Sequence, residues 1–257
     1  PAYQAMIEVG MNPHVDVETE SMTSKKKGEA YVKGLLALGV NRISMGVQSF
    51  DDGILKFMNR RHDSKTARKA YAILEDAGVE NISIDLIYGL PGESLDDWAY
   101  SLDQAIALGV KHISAYHLTY EEGTRLWRMQ EQGLVAPIEE EQSIRSFELL
   151  REKLLAAGYE HYEISNFSLP GYHSRHNSSY WNDTPYIGCG AGAHSYDGTS
   201  RGWNIADISI YIKGIGELSV VFGIVAVIVA VLNGYGGFSE AVISLSQFQD
   251  PAQPEFQ

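Results

Sequence analysis

The hydrophobic pattern of the first two thirds of the chain repeats a strand-and-helix unit. Short runs rich in Ile, Val and Tyr follow a Gly that ends an apolar periodic segment. They stand in LGVNRISMGVQS (38–49), AGVENISIDLIYG (77–89), LGVKHISAYHLT (108–119) and, more loosely, AGYEHYEISNFS (157–168). Helices commonly end at such a Gly, and recurrence at this period predicts parallel βα units. We predict strands over about 5–9, 42–47, 82–87, 112–117 and 161–164.

Apolar residues at helical spacing between these strands predict the helices. The segments run over 24–38, from 64, from 94 and over 139–157. Ser64 is predicted to cap the second segment, and Ser94 with Asp97 three residues later resembles a capping box. In the last helix, the residues predicted to face the core are Ile144, Phe147, Leu150 and Leu154.

The amino-acid composition of the chain changes after the predicted strands. Residues 166–217 are rich in Gly, Ser, Asn and aromatic residues, which predicts an ordered, loop-rich segment rather than disorder. Residues 218–257 form an apolar, atypical tail, for which a buried structural role, a rearranged end and a membrane span all stay open. We therefore predict a core over 1–165, the loop-rich segment over 166–217 and the tail over 218–257.

Composition excludes several classes of protein. The 257 residues carry a formal net charge of −13, which argues against a nucleic-acid binder. One cysteine, Cys189, excludes a disulfide scaffold within these residues and is predicted to be a small buried residue. The opening PAYQAMIEVG has no basic start followed by an apolar run, so we predict a cytoplasmic protein with its front missing.

Polar residues stand where the predicted strands finish. They are Glu8, Gln48, Asp85, His117 and Glu163. In a barrel of parallel strands the carboxyl ends share one face, so these residues predict a common pocket. The alternative is that each polar group bonds to its own loop. Asp85 differs from the others because it lies within an apolar strand, where its oxygens would suit ribose hydroxyls or an ammonium group.

Two further segments carry candidate chemistry. Arg60 and Arg61 follow Gln48 closely and suit a carboxylate ligand, although a solvated helix end would look the same. The segment HNSSYW places His176 beside aromatic residues, and histidine can ligate haem iron. A structural histidine in an aromatic loop is the alternative.

Together these motifs resemble a known family. The segments NRISMGVQSFDD, NRRH, NISIDLIYGLPGE, HISAYHLTYEEGT, YEISNFSLPGYHSRHNSSYW and GAGAHS are similar to radical S-adenosylmethionine proteins of the oxygen-independent coproporphyrinogen III oxidase-like family. The resemblance spans roughly residues 5–215 and favours the haem-chaperone branch, which is marked by HNxxYW.

The resemblance implies an α/β fold, a partial parallel (β/α) barrel that lacks its first βα units. It also implies that S-adenosylmethionine binds a [4Fe–4S] cluster in the full-length protein and lies against Glu8, Gln48, Arg60 and Asp85. Haem would be bound by four residues of the marker motif, with His176 as the iron ligand: His176, Asn177, Tyr180 and Trp181. No catalytic residue of the chain is predicted.

Two departures from the family bear on these expectations. The CxxxCxC motif that binds the cluster is absent and is expected to precede residue 1, so this chain alone should not perform radical chemistry. The family's acidic residue stands two positions before Asn-Pro, whereas Glu8 stands four before Asn12-Pro13.

Three functions follow as hypotheses. The first is a haem carrier that delivers haem to an acceptor protein the sequence does not identify. The second is a coproporphyrinogen III oxidase, which needs the missing cysteines. The third is a fragment with no function of its own, since unpaired strand edges favour aggregation.

Overall fold

The computed structural model describes residues 8–11 and 22–214, with side-chain environments from residue 28 onward. The chain divides into two compact units between Arg175 and His176. The predicted tail over 218–257 lies outside the described residues, and the predicted boundary at 165/166 stays a prediction.

The first unit is a six-stranded sheet with helices between its strands. In chain order its elements are β1 (Glu8–Met11), α1 (Met22–Ala37), β2 (Arg42–Gln48), α2 (Asp52–Phe57), α3 (Ser64–Asp76), β3 (Ile82–Tyr88), α4 (Leu95–Ala107), β4 (His112–His117), α5 (Arg125–Glu131), α6 (Glu140–Ala156), β5 (Glu160–His161) and β6 (Asn166–Ser168). The strand order is β1-β2-β3-β4-β6-β5, and β1 to β4 are parallel. The predicted α/β architecture is thereby confirmed.

The predicted fifth strand is wrong. The sequence indicated one parallel strand over 161–164, but β5 and β6 are short and β6 runs antiparallel to β4. Between them the chain turns, because the Glu163 carboxylate accepts hydrogen bonds from Ser165 N at 3.2 Å and from Asn166 Nδ2. Glu163 is therefore bonded within its own loop, which was the alternative left open for the strand-end residues.

The core lies between one face of the sheet and the covering helices. Alternate residues of β2 point into it, and Ile43, Met45 and Val47 are fully buried. Trp98 of α4 is also buried and donates its Nε1–H to Ser146 O of α6 at 3.0 Å, which ties these helices together. Leu150 of α6 is fully buried. Other helix and sheet residues are also fully buried: Leu74, Leu102, Leu154, Ile84 and Ile113.

Two local predictions need correction. Ile144 is 53% exposed rather than core-facing, because the buried stripe of α6 runs through Ser146, Leu150 and Leu154. Ser64 is the first residue of α3 and not its cap, since Asp63 Oδ1 accepts from Thr66 N at 2.7 Å. The capping box predicted at Ser94 is present.

The second unit contains short elements. They are α7 (Arg175–Trp181), β7 (His194–Tyr196) and β8 (Arg201–Trp203), with β7 and β8 paired antiparallel. Among the described residues, no helix has the length and apolar content that crossing a membrane requires.

Candidate functional site

The sheet carries a polar face opposite its core face. Side chains of a strand alternate between faces, so the residues between the buried apolar positions of β2, β3 and β4 lie together. The register sets Gly46 beside Asp85, Asp85 beside Ser114, and Ser114 beside Asn166. We call this face the polar face; its residues are Ser44, Gly46, Gln48, Ser83, Asp85, His112, Ser114, Asn166 and Ser168.

Asp85 occupies the middle of the polar face. It is half-buried, and Ser44 Oγ lies 3.4 Å from its Oδ1 and 3.5 Å from its Oδ2. A carboxylate has two oxygens, each of which accepts hydrogen bonds. Such a group is of the type that binds neighbouring hydroxyls, as on a ribose ring.

Gln48 reaches this site through an irregular strand end. The register shifts between Gly46 and Gln48, and Gln48 adopts a φ of 71°, which is uncommon for a residue with a side chain. A Cβ built on Gly46 would stand 2.7 Å from Gln48 Nε2. The Gln48 amide therefore lies over Gly46, the residue that the register pairs with Asp85. Only glycine leaves this space open.

Arg60 lies in a loop fixed to the end of β2. The buried His62, two residues later, places Nε2 3.0 Å from Val47 O, and Arg60 N donates to Leu55 O at 2.9 Å. The Arg60 side chain is exposed and makes no ion pair with another described residue. The loop thus places the backbone of Arg60 near the carboxyl end of β2.

Glu8 does not share the row of Asp85. The register pairs Glu8 with Arg42, at the amino end of β2, whereas Asp85 is level with Gly46. Four residues of strand span about 13 Å. The four predicted S-adenosylmethionine residues are therefore only partly assembled: Gln48 and Asp85 lie together, Arg60 has its loop at the strand end, and Glu8 stands apart.

The turn after β3 is closed by its own side chains. Glu93 is buried, and its Oε2 accepts from Gly89 N at 2.7 Å and from Leu90 N at 3.3 Å. Burial raises the pKa of Glu93 to about 7. A Cβ on Gly89 would stand 2.6 Å from His117 Nε2, and that nitrogen lies 2.9 Å from Ser143 Oγ. His117 therefore packs against the turn instead of facing Asp85.

The HNSSYW segment forms helix α7. His176 and Tyr180 stand one turn apart, with Tyr180 Oη 3.1 Å from His176 Nε2 and the ring centroids 5.0 Å apart. His176 is exposed, Asn177 is half-buried, and Tyr180 and Trp181 are 43% and 62% exposed. The helix thus presents an imidazole together with aromatic surface.

The donor set of the described residues fits haem better than a bare metal ion. No group of three or more His, Cys, Asp or Glu side chains among them could hold an ion. A porphyrin supplies four nitrogens of its own, so its iron needs only an axial ligand from the protein.

Cys189 is exposed, contrary to the prediction that it is buried, because residues 187–190 form a loop beside the β7–β8 hairpin.

Inspection of the sequence missed several residues of the polar face. Ser44, His112 and Asn166 were not singled out, although Ser44 and His112 follow the two-residue alternation that places them on the same side as Asp85. That alternation could have identified them. Asn166 follows the strand that was misplaced, and no comparable signal marks it.

Comparison with known proteins identifies relatives of this chain. A family model described as the radical SAM superfamily matches residues 3–105. The chain is 36% identical over 203 residues to "Heme chaperone HemW" of Bacillus subtilis, an alignment that covers 79% of this chain and 52% of that protein. It is 40% identical over 158 residues to the protein of the same name from Escherichia coli, covering 61% of this chain and 40% of that one.

A solved structure has the same fold. Coproporphyrinogen III oxidase (HemN) from Escherichia coli, a radical SAM enzyme, superposes with a TM-score of 0.65 at 21% identity, over 83% of this chain and 49% of that chain. The chain spans about half the length of the curated relatives it matches. It belongs to the radical SAM superfamily, in the coproporphyrinogen III oxidase-like family to which these haem chaperones are related.

Proposed function

We propose that this chain is part of a haem carrier and that His176 is the axial ligand of the haem iron. One observation carries the proposal: α7 presents the exposed His176 with Tyr180 one turn away and Trp181 beside it, in a chain related to proteins named heme chaperones. Tyr180 and Trp181 supply apolar ring surface for the macrocycle, and Asn177 is a candidate polar contact. The Tyr180 hydroxyl lies 3.1 Å from Nε2 and would have to move aside for iron to bind that nitrogen.

Haem titration followed by the Soret band tests this proposal. We expect the native chain to saturate with one haem and the variant His176→Ala to lose the band. The matched control is His194→Ala, since His194 is an exposed histidine of the same unit beside an aromatic ring, Trp203. Equal spectra for the native chain and His176→Ala would remove the carrier assignment.

We further propose that the polar face binds S-adenosylmethionine in the full-length protein. Asp85 would accept the ribose hydroxyls, Gln48 would contact the same ligand, and Arg60 would face its carboxylate. The Gln48 amide, which lies over Gly46, and the half-buried Asp85 carboxylate are polar groups suited to such a ligand. When bound to a [4Fe–4S] cluster, this cofactor supplies radical chemistry; the single cysteine of these 257 residues cannot supply three thiolates.

Calorimetric titration with S-adenosylmethionine tests the second proposal. We expect Asp85→Asn to weaken binding, and Asp96→Asn, on the first turn of α4, to leave it unchanged. Binding that survives Asp85→Asn would contradict the ribose assignment. The coproporphyrinogen oxidase hypothesis rests on fold alone, and a product assay on the cluster-loaded full-length protein decides it.

A further inference from the structure

A hydrogen-bonded chain runs from the polar face, through the buried His112 and the half-buried Tyr162, to the residue before α7. Ser83 Oγ lies 2.8 Å from His112 Nδ1, and His112 Nε2 lies 2.6 Å from Tyr162 Oη. The backbone N–H of Ser174 donates to that same phenol oxygen at 3.2 Å. The contacts join residues that are far apart in the sequence, so they fix the end of this chain segment relative to the sheet.

The imidazole of His112 links the other groups of this chain of bonds. His112 is fully buried, and burial lowers its pKa to about 2, so its imidazole is neutral with one donor and one acceptor nitrogen. It therefore donates to one of its two neighbours, Ser83 Oγ or Tyr162 Oη, and accepts from the other. The Tyr162 oxygen accepts from the Ser174 N–H in either arrangement.

The ring of Tyr162 also contacts His173, the residue before Ser174. Its ring stacks on His173 with centroids 4.2 Å apart and planes 14° apart, and His173 Nε2 pairs with Glu160 Oε2 at 2.8 Å. The Tyr162 side chain therefore contacts two consecutive residues, His173 and Ser174. Helix α7 begins at the next residue, Arg175, and His176 is its second residue.

We infer that Tyr162 is a positioning residue for the axial ligand His176. By fixing residues 173 and 174 it sets where α7 begins, and a helix carries that constraint to its first turn. Metal ligands depend on neighbouring groups that restrict their orientation before the metal arrives. The inference rests on the proposed haem carrier function and adds to it a residue that need not touch haem.

The variant Tyr162→Phe tests the inference, because it removes the hydroxyl and keeps the ring. We expect the dissociation constant for haem to rise roughly 10- to 100-fold, with a changed Soret maximum and electron paramagnetic resonance signature. The matched control is Tyr159→Phe, which also removes a buried phenol hydroxyl, one that donates to Val110 O at 2.6 Å. Tyr159→Phe should leave haem affinity and both spectra unchanged.

A second variant keeps the test decisive if Tyr162→Phe does not fold. His173→Ala removes the ring that stacks on Tyr162, together with its contact to Glu160, from an exposed position, and we expect it to weaken haem binding in the same direction. Haem binding by the tyrosine and His173 variants that equals that of Tyr159→Phe would overturn the inference. If His176→Ala itself binds haem like the native chain, the proposed function fails instead, so the two failures are distinguishable.

Discussion

Gln48 places its amide nitrogen 2.7 Å from the point where a Cβ of Gly46 would stand, so the two residues share space that one side chain can fill. The positive φ of Gln48 and the register shift beside it aim the amide there. The position of the Gln48 amide on the polar face therefore depends on the absence of a Cβ at residue 46.

The variant Gly46→Ala should weaken S-adenosylmethionine binding, because the new methyl displaces the Gln48 amide from its place beside the Asp85 row. Titration calorimetry measures the effect. The control is Gly34→Ala in α1, where a Cβ meets nothing within 4 Å and should stabilise the helix by about 0.5–1 kcal/mol. Unchanged binding in Gly46→Ala would show that the Gln48 amide has no part in the site.

The stability contributed by the neutral His112 should fall in acid. Burial lowers its folded-state pKa from 6.5 to about 2, so below pH 6.5 the unfolded chain takes up a proton that the folded chain does not. That contribution is fully present above pH 6.5 and declines by about 1.4 kcal/mol per pH unit below it. Urea unfolding of the native chain and of His112→Asn at several pH values measures the difference between them. A difference that stays constant with pH would contradict this account.

The stability contributed by Glu93 should fall as the pH rises, opposite to that of His112. Its folded-state pKa is raised from 4.5 to about 7, so its contribution is complete below pH 4.5 and declines as the pH rises toward 7. The variant Glu93→Gln keeps an acceptor for Gly89 N and lacks this titration. Relative to the native chain it should therefore gain up to about 3 kcal/mol between pH 4.5 and 7. Parallel pH profiles in urea unfolding would show that Glu93 ionises freely.

The strands that could be predicted from the sequence are those whose burial follows a simple alternation. In β2 the apolar residues Ile43, Met45 and Val47 are all buried, and Gln48 and Asp85 were recognised as polar groups within or after such runs. These features depend on residues one or two positions apart. Periodicity therefore sufficed for them: the predicted bounds of β4 match the observed ones, and those of β2 and β3 end one residue too early.

The features that escaped prediction depend on distant partners or on local hydrogen bonds. The contact of His112 with Tyr162 spans 50 residues, and no sequence pattern near either residue predicts it. The turn at Glu163 replaced a strand because a carboxylate accepted nearby N–H groups, which hydrophobic spacing does not report. Asp63 took the capping position predicted for Ser64, since either side chain can cap and the chain uses the earlier one.

The order of strands in the sheet has a consequence for synthesis on the ribosome. Strands β1 to β4 neighbour one another in the order in which they leave the exit tunnel, so each newly emerged strand finds its partner already made. Strand β5 breaks this sequence, because its partner β6 is translated after it. The sheet can therefore grow vectorially through β4, and its far edge closes only after Ser168 has emerged.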